Sequence, residues 1–91
     1  MKVVIADRFR EDARAKLKEG GFQVVYDPDL KDDSLKQTIA ETGADVLVVR
    51  STRVSGDALK AGRLGLVIRA GAGYNTIDVK TARERSIYVS N

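Results

Sequence analysis

The sequence predicts an α/β domain built on a doubly wound, five-stranded parallel sheet of order 2-1-3-4-5. Five short apolar runs alternate with four segments of helical spacing, and the connections between them are short. Regular alternation of this kind favours right-handed crossovers, with helices on both faces of the sheet. The 91 residues include no Trp, two Phe and three Tyr, so the core must consist mainly of Val, Ile, Leu and Ala. Aliphatic runs of this length are typical of strands buried on both faces.

The five strands are expected where β-branched and other aliphatic residues follow one another. The first run comes almost at the N-terminus, and the third is an uninterrupted Val-Leu-Val-Val segment. The strands are predicted at residues 3–6, 22–26, 46–49, 66–68 and 87–89.

The first predicted helix follows the first strand directly. We expect Asp7 to cap it, because aspartate is a favoured N-cap residue. Phe9, Ala13 and Leu17 would then share one face, and the glycines at 20–21 would end the helix.

Signals for the starts and ends of the other helices are also present. The second helix is predicted at residues 34–42 and ends at Gly43. Ser55 is expected to cap a short third helix, and Asp78 a fourth. Acidic residues between positions 27 and 33 lack calcium-loop spacing, so they are interpreted as a turn and a helix start rather than a metal site.

Composition narrows the function classes. The 16 Lys and Arg residues are interspersed with 13 Asp and Glu residues, without a basic run or an aromatic platform, which argues against nucleic-acid binding. The absence of Cys and His removes disulfides, thiol nucleophiles, the usual neutral-pH acid or base, and the commonest metal ligands. No long apolar stretch resembles a signal peptide or a membrane span, so we expect a cytoplasmic protein.

Two strand ends predict an anion-binding site. Arg69 ends the fourth apolar run and is followed by a Gly-Ala-Gly turn at residues 71–73, whose backbone N–H groups a ligand could approach closely. Arg50 follows the third apolar run directly, with Ser51 next to it. In a parallel sheet these ends form the usual ligand edge. A glycine-rich turn can also be a simple connection, and Arg53 is interpreted as a surface residue.

Two other sites are excluded by their residues. The turn at 71–73 lacks the third glycine of the dinucleotide fingerprint, because Thr76 takes that position, and no acidic residue can follow about 20 positions later in this chain. A phosphoacceptor site of the receiver type needs an acid at the end of the third strand, where Arg50 would repel magnesium.

Residues 48–54, 67–78 and 82–91 resemble the N-terminal part of the D-2-hydroxyacid dehydrogenases. The resemblance implies a flavodoxin-like substrate-binding lobe, of which residues 1–91 would form the first segment. It also implies that the NAD-binding lobe and the catalytic residues lie beyond the position of Asn91. One departure is Ser86, where the family usually has glycine after the helix.

The resemblance also implies site residues. It assigns Arg50 and Arg69 to the anionic groups of the substrate, with Ser51 nearby, and the N–H groups of Ala72 and Gly73 to its carboxylate. No catalytic, cofactor-binding or metal-binding residue is assigned in this chain, and NAD is expected in the full-length parent.

The sequence most resembles the family members that oxidise 3-phosphoglycerate to 3-phosphohydroxypyruvate in serine biosynthesis. By itself the fragment would bind substrate weakly and would not be catalytic. The alternatives are a related dehydrogenase acting on another 2-hydroxy or 2-oxo acid, or a standalone flavodoxin-like anion-binding or interaction module. Apolar surface near the fifth strand predicts a homodimer of the isolated chain.

Overall fold

A computed structural model describes residues 1–70 and 76–90. In these residues five strands and four helices alternate along the chain. The elements are β1 (Lys2–Ile5), α1 (Glu11–Glu19), β2 (Gln23–Tyr26), α2 (Asp32–Thr42), β3 (Val46–Val49), α3 (Gly56–Lys60), β4 (Leu66–Arg69), α4 (Val79–Glu84) and β5 (Tyr88–Ser90).

The strands form one parallel sheet of order β2-β1-β3-β4-β5, which confirms the predicted fold class and topology. The central strand is β3, and all four of its residues are buried. Continuous burial requires apolar side chains on both faces of the strand, which the Val-Leu-Val-Val segment supplies.

The two faces of the sheet are covered unequally. One face packs under α2, α3 and α4 in a large cluster that contains Leu35, Leu47 and Leu59. The other face carries a smaller cluster and packs under α1 through Leu17. Beside α1 an apolar cleft of about 470 Å³ remains, and Phe9, Ala13 and Leu17 are among the residues that line it. Ala13 and Leu17 lie on α1, whereas Phe9 precedes the helix, so the predicted common helix face holds for two of the three residues.

Several predicted helix ends are confirmed. Gly43 ends α2 with a φ of 62°, a left-handed conformation that glycine adopts without steric penalty. The side chain of Ser55 accepts a hydrogen bond from the Ala58 N–H at 3.2 Å, and so caps α3. Asp78 accepts one from the Thr81 N–H at 3.1 Å, and so caps α4.

The C-terminus of α4 explains the departure at position 86. The Ser86 N–H donates to the Arg83 carbonyl at 3.2 Å, and the Ile87 N–H donates to the Ala82 carbonyl at 2.8 Å, the hydrogen-bond pattern of a Schellman motif. That motif needs a left-handed residue after the C-cap, and Ser86 has a φ of 58°. Serine therefore occupies a position suited to glycine.

Membrane insertion receives no support from these elements. Within residues 1–70 and 76–90, no helix has both the length and the apolar character needed to cross a bilayer.

Candidate anion-binding site

The carboxyl ends of β1, β3 and β4 lie side by side, because these strands are neighbours in the parallel sheet. Val49 and Arg69 are register partners, and the Ala70 N–H donates to the Val49 carbonyl at 2.8 Å. Arg50 therefore leaves β3 directly beside the end of β4. The predicted meeting of these two strand ends is confirmed.

Asp7, which follows β1, organises the segment after β3. Its Oδ2 accepts hydrogen bonds from the backbone N–H groups of Arg50, Ser51 and Thr52 at 2.6, 3.0 and 2.9 Å. The Thr52 hydroxyl also donates to the Ala6 carbonyl at 3.3 Å. Consecutive N–H groups that converge on one oxygen form a concavity that favours an anion, and here the anion is the protein's own carboxylate.

The prediction that Asp7 caps α1 is wrong. That helix begins at Glu11, its N-cap is Arg10, and Arg10 makes no side-chain capping hydrogen bond. The Asp7 carboxylate instead reaches a segment more than 40 positions away in sequence. An aspartate between a strand and a helix can accept hydrogen bonds from either side, and here it accepts three charge-assisted bonds from the segment after β3.

Burial raises the pKa of Asp7, but the hydrogen bonds from the N–H groups of Arg50, Thr52 and Ser51 outweigh that effect and hold the pKa below its ordinary value. Asp7 is therefore charged at neutral pH. Because its carboxylate engages the N–H groups after β3, the groups left for a ligand there are the side chains of Arg50 and Ser51, and both residues are exposed.

A cleft of about 250 Å³ lies at this edge of the sheet. It is formed by the segment between β1 and α1, the first turns of α1, and the residues that follow β3 and β4. Its lining residues are Arg8, Phe9, Arg10, Ala13, Arg50 and Ala70.

Arg69 has a different environment. It is only 5% exposed, and its Nε donates to the Thr76 hydroxyl at 3.1 Å. Since side chains alternate along a strand, Arg69 lies on the same face as Val67, which belongs to the larger cluster. The cleft lined by Arg50 is not lined by Arg69. The two predicted arginines thus share an edge of the sheet without sharing this cleft.

Two predicted site residues, Ala72 and Gly73, lie outside the described residues, so their assignment to the substrate carboxylate stays a prediction. Arg53 is exposed, as its interpretation as a surface residue requires. Within the described ranges no group of three or more Asp and Glu residues could hold a metal ion.

The acidic segment between β2 and α2 forms the turn and helix start that its sequence predicted. Asp27 accepts a hydrogen bond from the Asp29 N–H at 3.0 Å, and Asp32 and Asp33 lie in the first turn of α2. Acidic side chains in a first turn interact favourably with the helix dipole.

Sequence reasoning missed Arg8, and it missed Thr76 as a partner of Arg69. Arg8 had a usable signal, since it follows the first strand and that strand neighbours the third in the predicted order. Side chains after neighbouring parallel strands meet at one edge. The bond between Arg69 and Thr76 left no sequence signal.

The five-stranded parallel sheet defines a small doubly wound α/β domain, and a cleft lined partly by arginines lies at its carboxyl edge. Residues 3–91 match the family described as D-isomer specific 2-hydroxyacid dehydrogenase, catalytic domain. The chain belongs to this family.

Individual relatives agree with that assignment. The chain is 41% identical, over its whole length, to D-3-phosphoglycerate dehydrogenase of Methanocaldococcus jannaschii, and spans 17% of that protein. It is 38% identical, over 99% of its length, to hydroxypyruvate reductase of Thermotoga maritima, and spans 29% of it. The crystal structure of NAD+-bound 3-phosphoglycerate dehydrogenase of Entamoeba histolytica superposes with a TM-score of 0.84 at 32% identity, covering 98% of this chain and 32% of that one.

Proposed function

We propose that this chain is the substrate-binding portion of an NAD-dependent D-3-phosphoglycerate dehydrogenase. The parent would oxidise 3-phosphoglycerate to 3-phosphohydroxypyruvate, in the serine biosynthetic route. The observation that carries the proposal is the 41% identity to the Methanocaldococcus jannaschii dehydrogenase across the whole chain. The arginine-lined cleft at the carboxyl edge supports it, because the substrate is a small anion.

Each site residue has a role in this proposal. The guanidinium of Arg50 and the hydroxyl of Ser51 would contact one anionic group of the substrate. Arg69 would provide positive charge at the end of β4, next to the turn where the N–H groups of Ala72 and Gly73 would bind the carboxylate. Residues 1–91 would form the first segment of the substrate-binding lobe.

We propose that NAD is not bound by the glycine turn of this chain. A dinucleotide turn needs a third glycine at position 76 to let helix and strand pack closely. Thr76 stands there instead, and its hydroxyl accepts the hydrogen bond from Arg69. We therefore assign NAD, and the catalytic groups, to other parts of the parent protein, and we assign substrate binding without catalysis to this chain.

A second candidate substrate is hydroxypyruvate, because the Thermotoga maritima relative at 38% identity is a hydroxypyruvate reductase. The two candidates differ in the phosphate group. Comparison of ligands with and without phosphate therefore separates them.

The test is an NMR titration of backbone amides in the isolated chain with 3-phosphoglycerate, hydroxypyruvate and inorganic phosphate. We expect affinity of roughly millimolar order, since half a cleft leaves the ligand partly solvated. The amides of Arg50, Ser51, Ala72 and Gly73 should shift most with 3-phosphoglycerate. The absence of shifts at these amides, or equal affinity for inorganic phosphate alone, would refute the proposed site, and a preference for hydroxypyruvate would support the second candidate.

We also propose that the isolated chain forms a homodimer through apolar surface near β5. Tyr88 is 75% exposed and Val79 is 42% exposed, and both line a cleft of about 440 Å³. Sedimentation at rising protein concentration should show a dimer that Tyr88→Ser weakens. A strictly monomeric profile at high concentration would contradict the proposal.

The location proposed for this function is the cytoplasm. The sequence contains no cysteine, which suits a reducing compartment. Fractionation of cells that express the tagged parent protein tests the location, and recovery outside the soluble cytoplasmic fraction would refute it.

A further inference from the structure

The segment that joins β1 to α1 carries an exposed arginine at the carboxyl edge of the sheet. Arg8 is exposed and lines the same cleft as Arg50, although the two arginines follow different strands. Neighbouring cations lining one cleft repel each other, and an anion bound between them removes that repulsion.

The other two arginines of this region already have partners. The Arg10 guanidinium pairs with the Asp12 carboxylate at 3.2 Å. The Arg14 guanidinium lies 3.8 Å from the centre of the Tyr26 ring, and its Nε donates to the Phe9 carbonyl at 3.3 Å. These contacts neutralise or position the two side chains within the protein.

Among the described residues, Arg8 and Arg50 have no comparable side-chain partner. Within residues 1–70 and 76–90, the ion pairs are Arg10 with Asp12 and Arg63 with Asp45. Asp7, the acid that adjoins Arg8 in sequence, directs its Oδ2 to backbone N–H groups. Two of the arginines that line the cleft therefore have no ion-pair partner among the described carboxylates.

The backbone on either side of Arg8 is anchored. On one side, Asp7 is bound to the segment that carries Arg50. On the other side, the Phe9 carbonyl accepts the hydrogen bond from Arg14, and the Phe9 side chain packs against the smaller apolar cluster. Anchoring of both neighbours reduces the freedom that Arg8 would lose when it binds a ligand.

We propose that Arg8 and Arg50 together bind the phosphate of a phosphorylated 2-hydroxy acid, and that Arg8 thereby selects phosphorylated over unphosphorylated substrates. This inference rests on the proposed function of the same edge. A phosphate carries close to two negative charges at neutral pH and offers several acceptor oxygens, which matches two separate guanidinium groups. A cleft of about 250 Å³ suits a ligand of that size.

The test compares 3-phosphoglycerate with D-glycerate, which lacks the phosphate, by NMR titration of the whole chain. In Arg8→Ala, affinity for 3-phosphoglycerate should fall about fivefold, the scale of an exposed charge pair, and affinity for D-glycerate should change less than about twofold. Arg8→Lys should retain part of the preference for 3-phosphoglycerate over D-glycerate. Raised ionic strength should shrink the difference, because exposed charges are screened.

Arg83→Ala is the matched control, because it removes one exposed arginine on α4, away from this cleft. One outcome refutes only the role of Arg8: wild type binds 3-phosphoglycerate, Arg50→Ala weakens that binding, and Arg8→Ala has the same affinity as Arg83→Ala. The proposed function then stands. If wild type shows no amide shifts with 3-phosphoglycerate, both are refuted.

Discussion

Arg69 and Arg50 follow neighbouring strands of one sheet, but their surroundings differ. Arg69 is 5% exposed and donates to Thr76 within the protein. Arg50 is exposed, and its backbone N–H donates to Asp7 at 2.6 Å. The side chain of Arg69 is therefore part of the packed structure. At Arg50 only the backbone is anchored, and the side chain is exposed.

The difference shows two ways of fixing a positive charge at the carboxyl edge of the sheet. A buried arginine is held by its own side-chain contacts, so its removal must disturb the fold. An exposed arginine can be positioned by its backbone while its side chain stays available to a ligand. Asp7 positions the backbone at Arg50, and Arg50 is the residue that we propose contacts the ligand.

The largest expected effect comes from Arg69→Ala. Loss of a buried side chain and of its hydrogen bond to Thr76 should lower the free energy of unfolding by about 3 kcal/mol. Urea denaturation followed by circular dichroism measures this. The exposed control Arg83→Ala should stay within about 0.5 kcal/mol of wild type. Equal stability of the two variants would show that Arg69 is not part of the packed structure, and the comparison would fail.

Asp7→Ala should have the next largest effect. It leaves the N–H groups of Arg50, Ser51 and Thr52 without their acceptor, which should lower the free energy of unfolding by about 2 kcal/mol. Amide hydrogen exchange at these three positions should become faster, while exchange in β3 changes in proportion to global stability. Unchanged protection of the three amides would contradict the anchoring role of Asp7.

The same carboxylate predicts a pH dependence. Since the folded state lowers the pKa of Asp7, its stabilising contribution is present above the ordinary carboxyl range near pH 4 and is lost as the pH falls through the lowered pKa. Backbone hydrogen bonds also lower the pKa values of Asp45 and Asp78, so wild type alone does not isolate Asp7.

The difference in unfolding free energy between wild type and Asp7→Asn isolates that contribution. It should be constant above about pH 5 and should shrink below about pH 4. If the difference in unfolding free energy grew as the pH fell, the folded state would raise the pKa of Asp7 instead of lowering it. That result would contradict the hydrogen-bond geometry.

A smaller effect is expected from Ser86→Gly, remote from both arginines. Removal of the side chain at a φ of 58° should raise the free energy of unfolding by somewhat under about 1 kcal/mol. The effects of distant substitutions on the free energy of unfolding are additive. Arg69→Ala should therefore cause the same loss of stability in the Ser86→Gly background as in wild type, and so should Asp7→Ala. Thermal denaturation of the single and double variants checks both points, and a lower melting temperature for Ser86→Gly would contradict the assigned strain.

The sheet could be predicted because its information is local. Strands such as β3 are runs of aliphatic residues, and the caps at Gly43, Ser55 and Asp78 lie next to the helices they end or begin. Parallel topology then follows from short connections and right-handed crossovers.

The site was only partly predictable because its decisive contacts are distant in sequence. The prediction for Asp7 failed since its local cue, an aspartate before a helix, is also compatible with accepting hydrogen bonds from another segment. Alternation along β4 places Arg69 on the face of Val67, but the extent of its burial depends on packing between segments distant in sequence. Arg50 was identified because its signal, a charge directly after a buried strand, is local.

The most direct test of the central claim, that Arg50 binds while Asp7 positions, is the affinity of Arg50→Ala for 3-phosphoglycerate measured beside its stability. We predict a loss of about tenfold or more in affinity, with the free energy of unfolding within about 0.5 kcal/mol of wild type. Unchanged affinity would contradict the claim directly. A loss of stability like that of Arg69→Ala would show that both arginines serve the fold, and that the contrast between them does not exist.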